Sequence, residues 1–265
     1  MIGRVLIIAG SDSGGGAGIQ ADIKSITALG AFSASAITAL TAQNTLGVHD
    51  VMPVPIDFIN KQINVVLSDI GADCIKTGML HDSSVIETVI NALDQHAVDI
   101  PLIVDPVMVA KGGASLLQDE AISLLRNRLV PRATLLTPNI PEAEALLGRA
   151  VKGVKDMELT ARELIDIGPK AVLLKGGHMD GSVVRDLLIT NEGIQVYENE
   201  RIVTPHTHGT GCTLASSIAA GIANGLTIEN AVAQAERFLH KAIESAPGFG
   251  SGHGPINHLH LVQPN

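Results

Sequence analysis

Short apolar runs, each closed by glycine or a polar residue and most followed by a helix-period pattern, limit most strongly how this chain can fold. "RVLIIAG" (4–10), "ASAITAL" (34–40), "ADCIKTG" (72–78), "PLIVDPV" (101–107), "ATLLTPN" (133–139) and "AVLLKGG" (171–177) read as strands. Between and after them, 18–30, 57–70, 83–96, 119–129, 211–224 and 228–245 read as helices, and 183–204 as a β-rich stretch. Strands that are apolar along their length have both faces covered. The pattern therefore predicts an α/β protein with a mostly parallel sheet between helices.

Composition narrows the function classes. A length of 265 residues suits one large domain, 1–265, and 46% hydrophobic residues support a sizeable core. The formal net charge of −9 disfavours nonspecific nucleic-acid binding, which needs clustered lysine and arginine. Aromatic residues are only 2%, too few for base-stacking platforms. No apolar run reaches the ~18 residues of a membrane span. "MIGRVLIIAGSDSGGG" reads as a first strand and not as a signal peptide. Cys74 and Cys212 are the only cysteines, which is no disulfide framework. A cytoplasmic protein with neither nucleic acid nor membrane as partner is expected.

Ligands of such sheets bind beyond the carboxyl ends of the strands, so residues just after each run are the candidates. "GSDSGGGAGIQAD" (10–22) is either the floor of a small-molecule pocket or a structural turn. Its Gly16-Ala17-Gly18-Ile19-Gln20-Ala21 fits G-x-G-x-x-A, but the expected ribose-binding acid is missing, as is the lysine of a Walker loop. Gln43, in "TAQNT", offers an amide that both donates and accepts. It suits a heterocycle with an amino group beside a ring nitrogen, or a turn. Asp105 is a turn initiator or a site acid. Asn139 and Glu142 have capping-box spacing, and Glu142 also suits Mg²⁺ held through waters. Lys175 suits a nucleotide phosphate or a snorkelling surface position.

"HGTGCT" (208–213) is the sharpest motif. Backbone N–H groups of Gly209, Thr210, Gly211 and Cys212 at a helix start attract anions and suit a transferring phosphoryl group. The same field lowers a thiol pKa, so Cys212 is expected to be partly thiolate, whereas Cys74 reads as a small buried hydrophobe. His208 is expected to orient the loop. His258 and His260 match a zinc site only loosely.

Together with "IKTGML", "VDPVMVAKGG", "LLKGGH" and "GHGPINH", these segments resemble the bacterial hydroxymethylpyrimidine/phosphomethylpyrimidine kinases of thiamine biosynthesis, in the ribokinase-like superfamily. The resemblance runs from residue 8 to 258. It implies a three-layer α/β/α fold, a cytoplasmic homodimer, ATP and Mg²⁺. The implied reaction phosphorylates 4-amino-5-hydroxymethyl-2-methylpyrimidine and then its monophosphate. Gln43 would bond the amino group and ring nitrogen, and Gly10, Ala17, Met79 and Val107 would shape an apolar slot, with Asp22 reaching the pocket. Asn139, Glu142 and Lys175 would serve Mg²⁺ and the ATP phosphates, with Asp105 near the metal. The "GTGC" loop would be the anion hole. Cys212 would be the base, a thiol where related sugar kinases carry an aspartate. One departure is visible: "GSGHGPINH" has His253 where relatives often carry a lysine in this glycine-rich segment.

Three other readings follow from the same residues. Pyridoxal kinases share the glycine loop and the cysteine-bearing anion hole but tend to lack the glutamine of "AQNT". A non-catalytic nucleotide or vitamin sensor would not need Asn139, Glu142, Lys175 and the "GTGC" loop together. An NAD-dependent oxidoreductase rests on G-x-G-x-x-A alone. "MVAKGGAS" (108–115) reads as a mobile flap over the site.

Overall fold

The computed structural model describes residues 1–108 and 118–261; apart from Met108, the expected flap lies outside them. The strands are β1 (Arg4–Asp12), β2 (Phe32–Asn44), β3 (Gly47–Pro53), β4 (Cys74–Thr77), β5 (Leu102–Val104), β6 (Leu135–Leu136), β7 (Val172–Lys175), β8 (Val183–Thr190) and β9 (Gly193–Glu200). They form one nine-stranded sheet in the order β3-β2-β1-β4-β5-β6-β7-β8-β9. From β2 to β7 the neighbours are parallel, and the two margins are antiparallel.

Successive residues of β1 feed opposite faces, as the strand period requires. Leu6 and Ile8 pack with α2 (Ile56–Asp69), α3 (Ser83–His96), α4 (Asp119–Leu124), α5 (Ile140–Leu147) and α6 (Met157–Ile165). Val5, Ile7 and Ala9 pack with α1 (Gly18–Ala28), α7 (Thr210–Ala223) and α8 (Ile228–Glu244). The result is the expected three-layer sandwich. After α4 the expected helix 119–129 continues as a π-helical turn, Leu125–Leu129.

Three elements depart from the sequence reading. β2 runs on through Gln43 and pairs antiparallel with β3, so Gln43 is a strand residue opposite Val48 and not a loop residue. β3 escaped notice because "GVHDVMP" lies on a half-exposed edge and shows no continuous apolar run. α6 was likewise not expected; it buries Met157, Thr160, Ala161 and Leu164 and leaves the rest to solvent.

Candidate active site

The expected site residues converge. A cavity of about 290 Å³ opens at the carboxyl ends of β1, β4 and β5. It is lined by Gly10, Ala17, Gln43, Met79, Asp105, Val107, Asn139, Glu142, Lys175 and the loop Gly209–Cys212. A second cavity, of about 510 Å³, shares Asn139, Lys175, Thr210 and Gly211 with the first. Val184, Ile202, Val203, Leu239 and Ile243 give it an apolar wall. The two spaces meet at the N-terminus of α7.

That N-terminus has no side-chain cap and no acid in its first turn. The Thr210 N–H donates to the Thr207 carbonyl at 3.4 Å, and the N–H groups of Gly211 and Cys212 remain available to an anion. Gly209 precedes it with φ 84°, in the left-handed region. A Cβ there would lie 1.8 Å from the Gly16 carbonyl oxygen, so the anion loop and the glycine-rich loop after β1 interlock through backbone. At Gly211 a Cβ would instead meet Lys175 Nζ at 3.4 Å and Asp105 Oδ2 at 3.9 Å. Residue 211 therefore faces the space between the helix end and these two side chains.

Lys175 Nζ stands 3.3 Å from Asp105 Oδ1. Burial opposes its charge, but Asp105 and Glu142 hold its pKa above the usual lysine value. Asn139 and Glu142 form the expected capping box. Asn139 Oδ1 accepts from the Glu142 N–H at 2.9 Å, and Glu142 Oε2 accepts from the Asn139 N–H at 2.8 Å. Burial, reinforced by Asp105, raises the Glu142 carboxyl to about 7 against the pull of Lys175. Asp105 Oδ2 is buried without a hydrogen-bond partner. An orphaned carboxylate oxygen beside a second carboxylate suits a divalent cation shared with phosphate oxygens, the arrangement magnesium favours. Among the described residues no group of three or more His, Cys, Asp or Glu is placed to hold a metal. Among these residues His258 Nε2 lies 2.8 Å from Thr213 Oγ1, and His260 packs against Phe238 with the rings tilted by 41°.

Two expectations need correction. Asp22 does not line the cavity. It is fully buried and receives Lys76 Nζ at 2.9 Å on both carboxylate oxygens, with Ser216 Oγ donating to the same group. Its position one turn inside α1 directs it under the sheet end, so it reaches the site only through Lys76, which does line it. Burial favours the neutral form of both partners. Asp22 stays above its usual value, but its charge holds the Lys76 ammonium above its own against burial. With three hydrogen bonds from two donor groups on one carboxylate, we read the pair as ionised. Second, Cys212 is a neutral thiol. Burial pushes it up to about 12, with Asp22 and Asp105 adding to the shift, and Lys76 and the Gly18 N–H do not offset this. Cys74, fully buried, is raised too, as read.

Sequence reasoning missed Asp12, Thr41 and Lys76, all of which line the first cavity. A lysine inside an otherwise apolar strand, "CIKT", was the available signal for Lys76. His208 does tie the loop down, through a 2.8 Å contact with Asp12.

Residues 12–257 match the family model of phosphomethylpyrimidine kinase. The chain belongs to the phosphomethylpyrimidine kinase family. A hydroxymethylpyrimidine/phosphomethylpyrimidine kinase of Bacillus subtilis (strain 168) is 47% identical over 257 residues, covering 97% of this chain and 94% of that protein. Its counterpart in Haemophilus influenzae is 46% identical over 259 residues, covering 96% of each. Among solved structures, phosphomethylpyrimidine kinase from Clostridium difficile 630 aligns with a TM-score of 0.81 at 41% identity, over 92% of this chain and 100% of that one. Pyridoxal kinase of Bacillus subtilis, in complex with ADP, aligns with a TM-score of 0.92 at 35% identity over the whole of both chains. The family is one of phosphotransferases.

Proposed function

We propose that the protein transfers a phosphoryl group from ATP to 4-amino-5-hydroxymethyl-2-methylpyrimidine, and a second to the resulting monophosphate, in thiamine biosynthesis. The observation that carries this reading is the meeting of two cavities across an uncapped helix N-terminus. The first, with Gln43 at one end and Met79 and Val107 on its walls, has the lining for a flat aminopyrimidine. The second, with its apolar wall and Lys175 at the junction, has the lining for a nucleotide. The protein acts as a cytoplasmic homodimer, and the exposed Leu46, Met52 and Phe58 around the β2–β3 edge offer apolar contact area for the partner.

In this mechanism the chain contributes mainly position and charge, as phosphoryl transfer demands. Gln43 holds the pyrimidine edge so that the hydroxymethyl group points at residues 209–212. The N–H groups of Gly211 and Cys212, with Lys175, stabilise the charge spread over the transferring group. Asp105, Glu142 and Asn139 would hold Mg²⁺, which when bound neutralises phosphate charge. Cys212 faces the alcohol and takes its proton as thiolate. With the thiol at about 12, that form is scarce at neutral pH. The second transfer scarcely needs a base, because a phosphate monoester with a second pKa of about 6 is already ionised.

The test is ADP release with the aminopyrimidine alcohol, its monophosphate and pyridoxal. The first two are expected to be turned over with higher kcat/KM than pyridoxal. Binding of all three without ADP release would leave only a sensor. A second activity on pyridoxal is favoured by the full-length structural match to a pyridoxal kinase. A preference for pyridoxal would replace the main reading with that one.

A further inference from the structure

Asp12, Thr41, Gln43 and His208 form one hydrogen-bonded group in the wall of the first cavity. Asp12 ends β1 and is buried. Its Oδ1 accepts from the Gly14 N–H at 2.8 Å, and its Oδ2 from Gly16 at 3.0 Å and Ala17 at 2.8 Å. Burial alone would raise this carboxyl, but His208 and these backbone donors hold it below the usual aspartate value. His208 Nε2 lies 2.8 Å from the same Oδ2. A carboxylate accepting from three backbone N–H groups has no proton to give, so the proton of this contact is on Nε2.

That assignment determines how the neighbouring amide faces. Gln43 Nε2 is placed 3.3 Å from His208 Nε2 and Gln43 Oε1 3.2 Å from Thr41 Oγ1, and the hydrogen-bond roles of these two neighbours call for the amide atoms exchanged. Nitrogen and oxygen of an amide are told apart only by such neighbours. A protonated Nε2 calls for the carbonyl oxygen at its end. The Thr41 hydroxyl has its own acceptor in the Ser11 carbonyl at 3.0 Å, so it offers the amide a lone pair and calls for the NH₂ group. Both neighbours select the same orientation. One N–H and one lone pair of the amide then remain for a ligand.

We propose that Asp12, acting through His208, and Thr41 are positioning residues that lock the Gln43 amide in one orientation, and that this lock selects the heterocycle and the direction in which its alcohol points. The inference rests on the reading that Gln43 addresses the amino group and ring nitrogen. With the carbonyl on the His208 side, the 4-amino group lies on that side and the ring nitrogen on the Thr41 side. The 5-hydroxymethyl group is the ring neighbour of the amino group, so it points toward Gly209–Cys212, the residues directly after His208. A 4-oxo pyrimidine presents N–H and carbonyl in the reverse order. A freely turning amide serves both patterns; the locked one serves only the amino compound. Backbone packing keeps the lock closed: a Cβ on Gly16 would lie 2.5 Å from His208 Cδ2.

The experiment compares kcat/KM for the amino alcohol and its 4-oxo analogue in the wild type, His208→Leu, His208→Gln, Gln43→Leu and the Gln43→Leu/His208→Leu double variant. His208→Leu is expected to reduce the amino-to-oxo preference on the order of 10–100-fold, the usual effect of losing the penalty for a mispaired buried polar group. His208→Gln, which keeps a donor for Asp12 and Gln43, restores most of it. In the Gln43→Leu background the His208 substitution changes the ratio no further. Should His208→Leu not fold, Thr41→Val releases the other end of the amide and is read in the same way. An unchanged ratio in His208→Leu, with a collapsed ratio in Gln43→Leu, overturns the lock and leaves the Gln43 reading standing. An unchanged ratio in Gln43→Leu overturns that reading and the lock with it. A further loss in the double variant overturns the lock too, since His208 would then act on the substrate directly.

Discussion

Gly209 and Gly211 are two residues apart, yet the structure separates their roles, and alanine at each tests that separation. At Gly209 a side chain requires the left-handed region and meets the Gly16 carbonyl at 1.8 Å, which is backbone and cannot turn aside. The conformation costs about 1–2 kcal/mol and the overpacking about 1–3 kcal/mol. Gly209→Ala is therefore expected to lose about 2–5 kcal/mol, or roughly 5–15 °C in Tm for a chain of this size. Gly211 lies inside α7 and is not in the left-handed region, and its contacts at 3.4 and 3.9 Å are ordinary ones. Alanine there gains up to about 1 kcal/mol of helix propensity. It also places a methyl group in the space between the helix end and Lys175, where a phosphoryl group would pass. Gly211→Ala should keep or raise Tm while kcat falls by about 10²-fold or more, the scale of a damaged anion hole. Thermal melts and ADP release on the same preparations give both numbers. A Gly211→Ala enzyme with wild-type kcat would refute the assignment of that space to the transferring group. A Gly209→Ala protein with unchanged Tm would refute the interlock.

Further outcomes follow from the buried charges and the thiol. Lys76→Met strands Asp22 in the interior and is expected to destabilise the fold by about 3–5 kcal/mol in urea unfolding, and Asp22→Leu added to it should recover most of the loss. Equal stability of the single and double variants would contradict the ionised pair. Cys212→Ala should slow the first phosphorylation more than the second; a first-step loss under about tenfold would demote the thiol to packing. Because burial raises this thiol to about 12, its thiolate fraction grows about tenfold per pH unit throughout the neutral range. The first-step rate should climb with pH from about 6 to 9 without a plateau, and Cys212→Ala should flatten the profile. Asp105→Asn is expected to raise the Mg²⁺ concentration for half-maximal rate by about 10–100-fold, read from titrations at fixed ATP.

The parts of the fold that were legible in the sequence are those where one physical pattern dominates. The parallel strands stood out because burial on both faces keeps their runs mainly apolar, Lys76 in β4 being an exception, and the strand ends then identified Asp105, Asn139 and Lys175. β3 has one face in solvent, and its polar residues hid it. Gln43 was found as a chemical group but assigned to a loop, since nothing local shows that β2 continues to a partner that follows it. Asp22 was placed at the site by the family resemblance; whether a helix residue points at the cavity or under it depends on the rotation of α1 against Lys76. The Cys212 thiol was misjudged for a related reason. The helix start that lowers a thiol pKa is visible in "GTGCT", but the burial that raises it, and the Asp22 and Asp105 charges that add to this, come from segments distant in sequence.

Asp12 and His208 are 196 residues apart in sequence, and their contact joins the first strand to the last loop before α7. This part of the pocket wall is therefore built from segments far apart in the chain. A growing chain has most of its sheet before it has any anion site, and it acquires the site only when the final helices dock. Binding competence then reports completion of the fold. A ligand in the pocket bridges the glycine-rich loop and the loop before α7, and slowed hydrogen exchange at residues 10–17 and 207–213 would appear together or not at all.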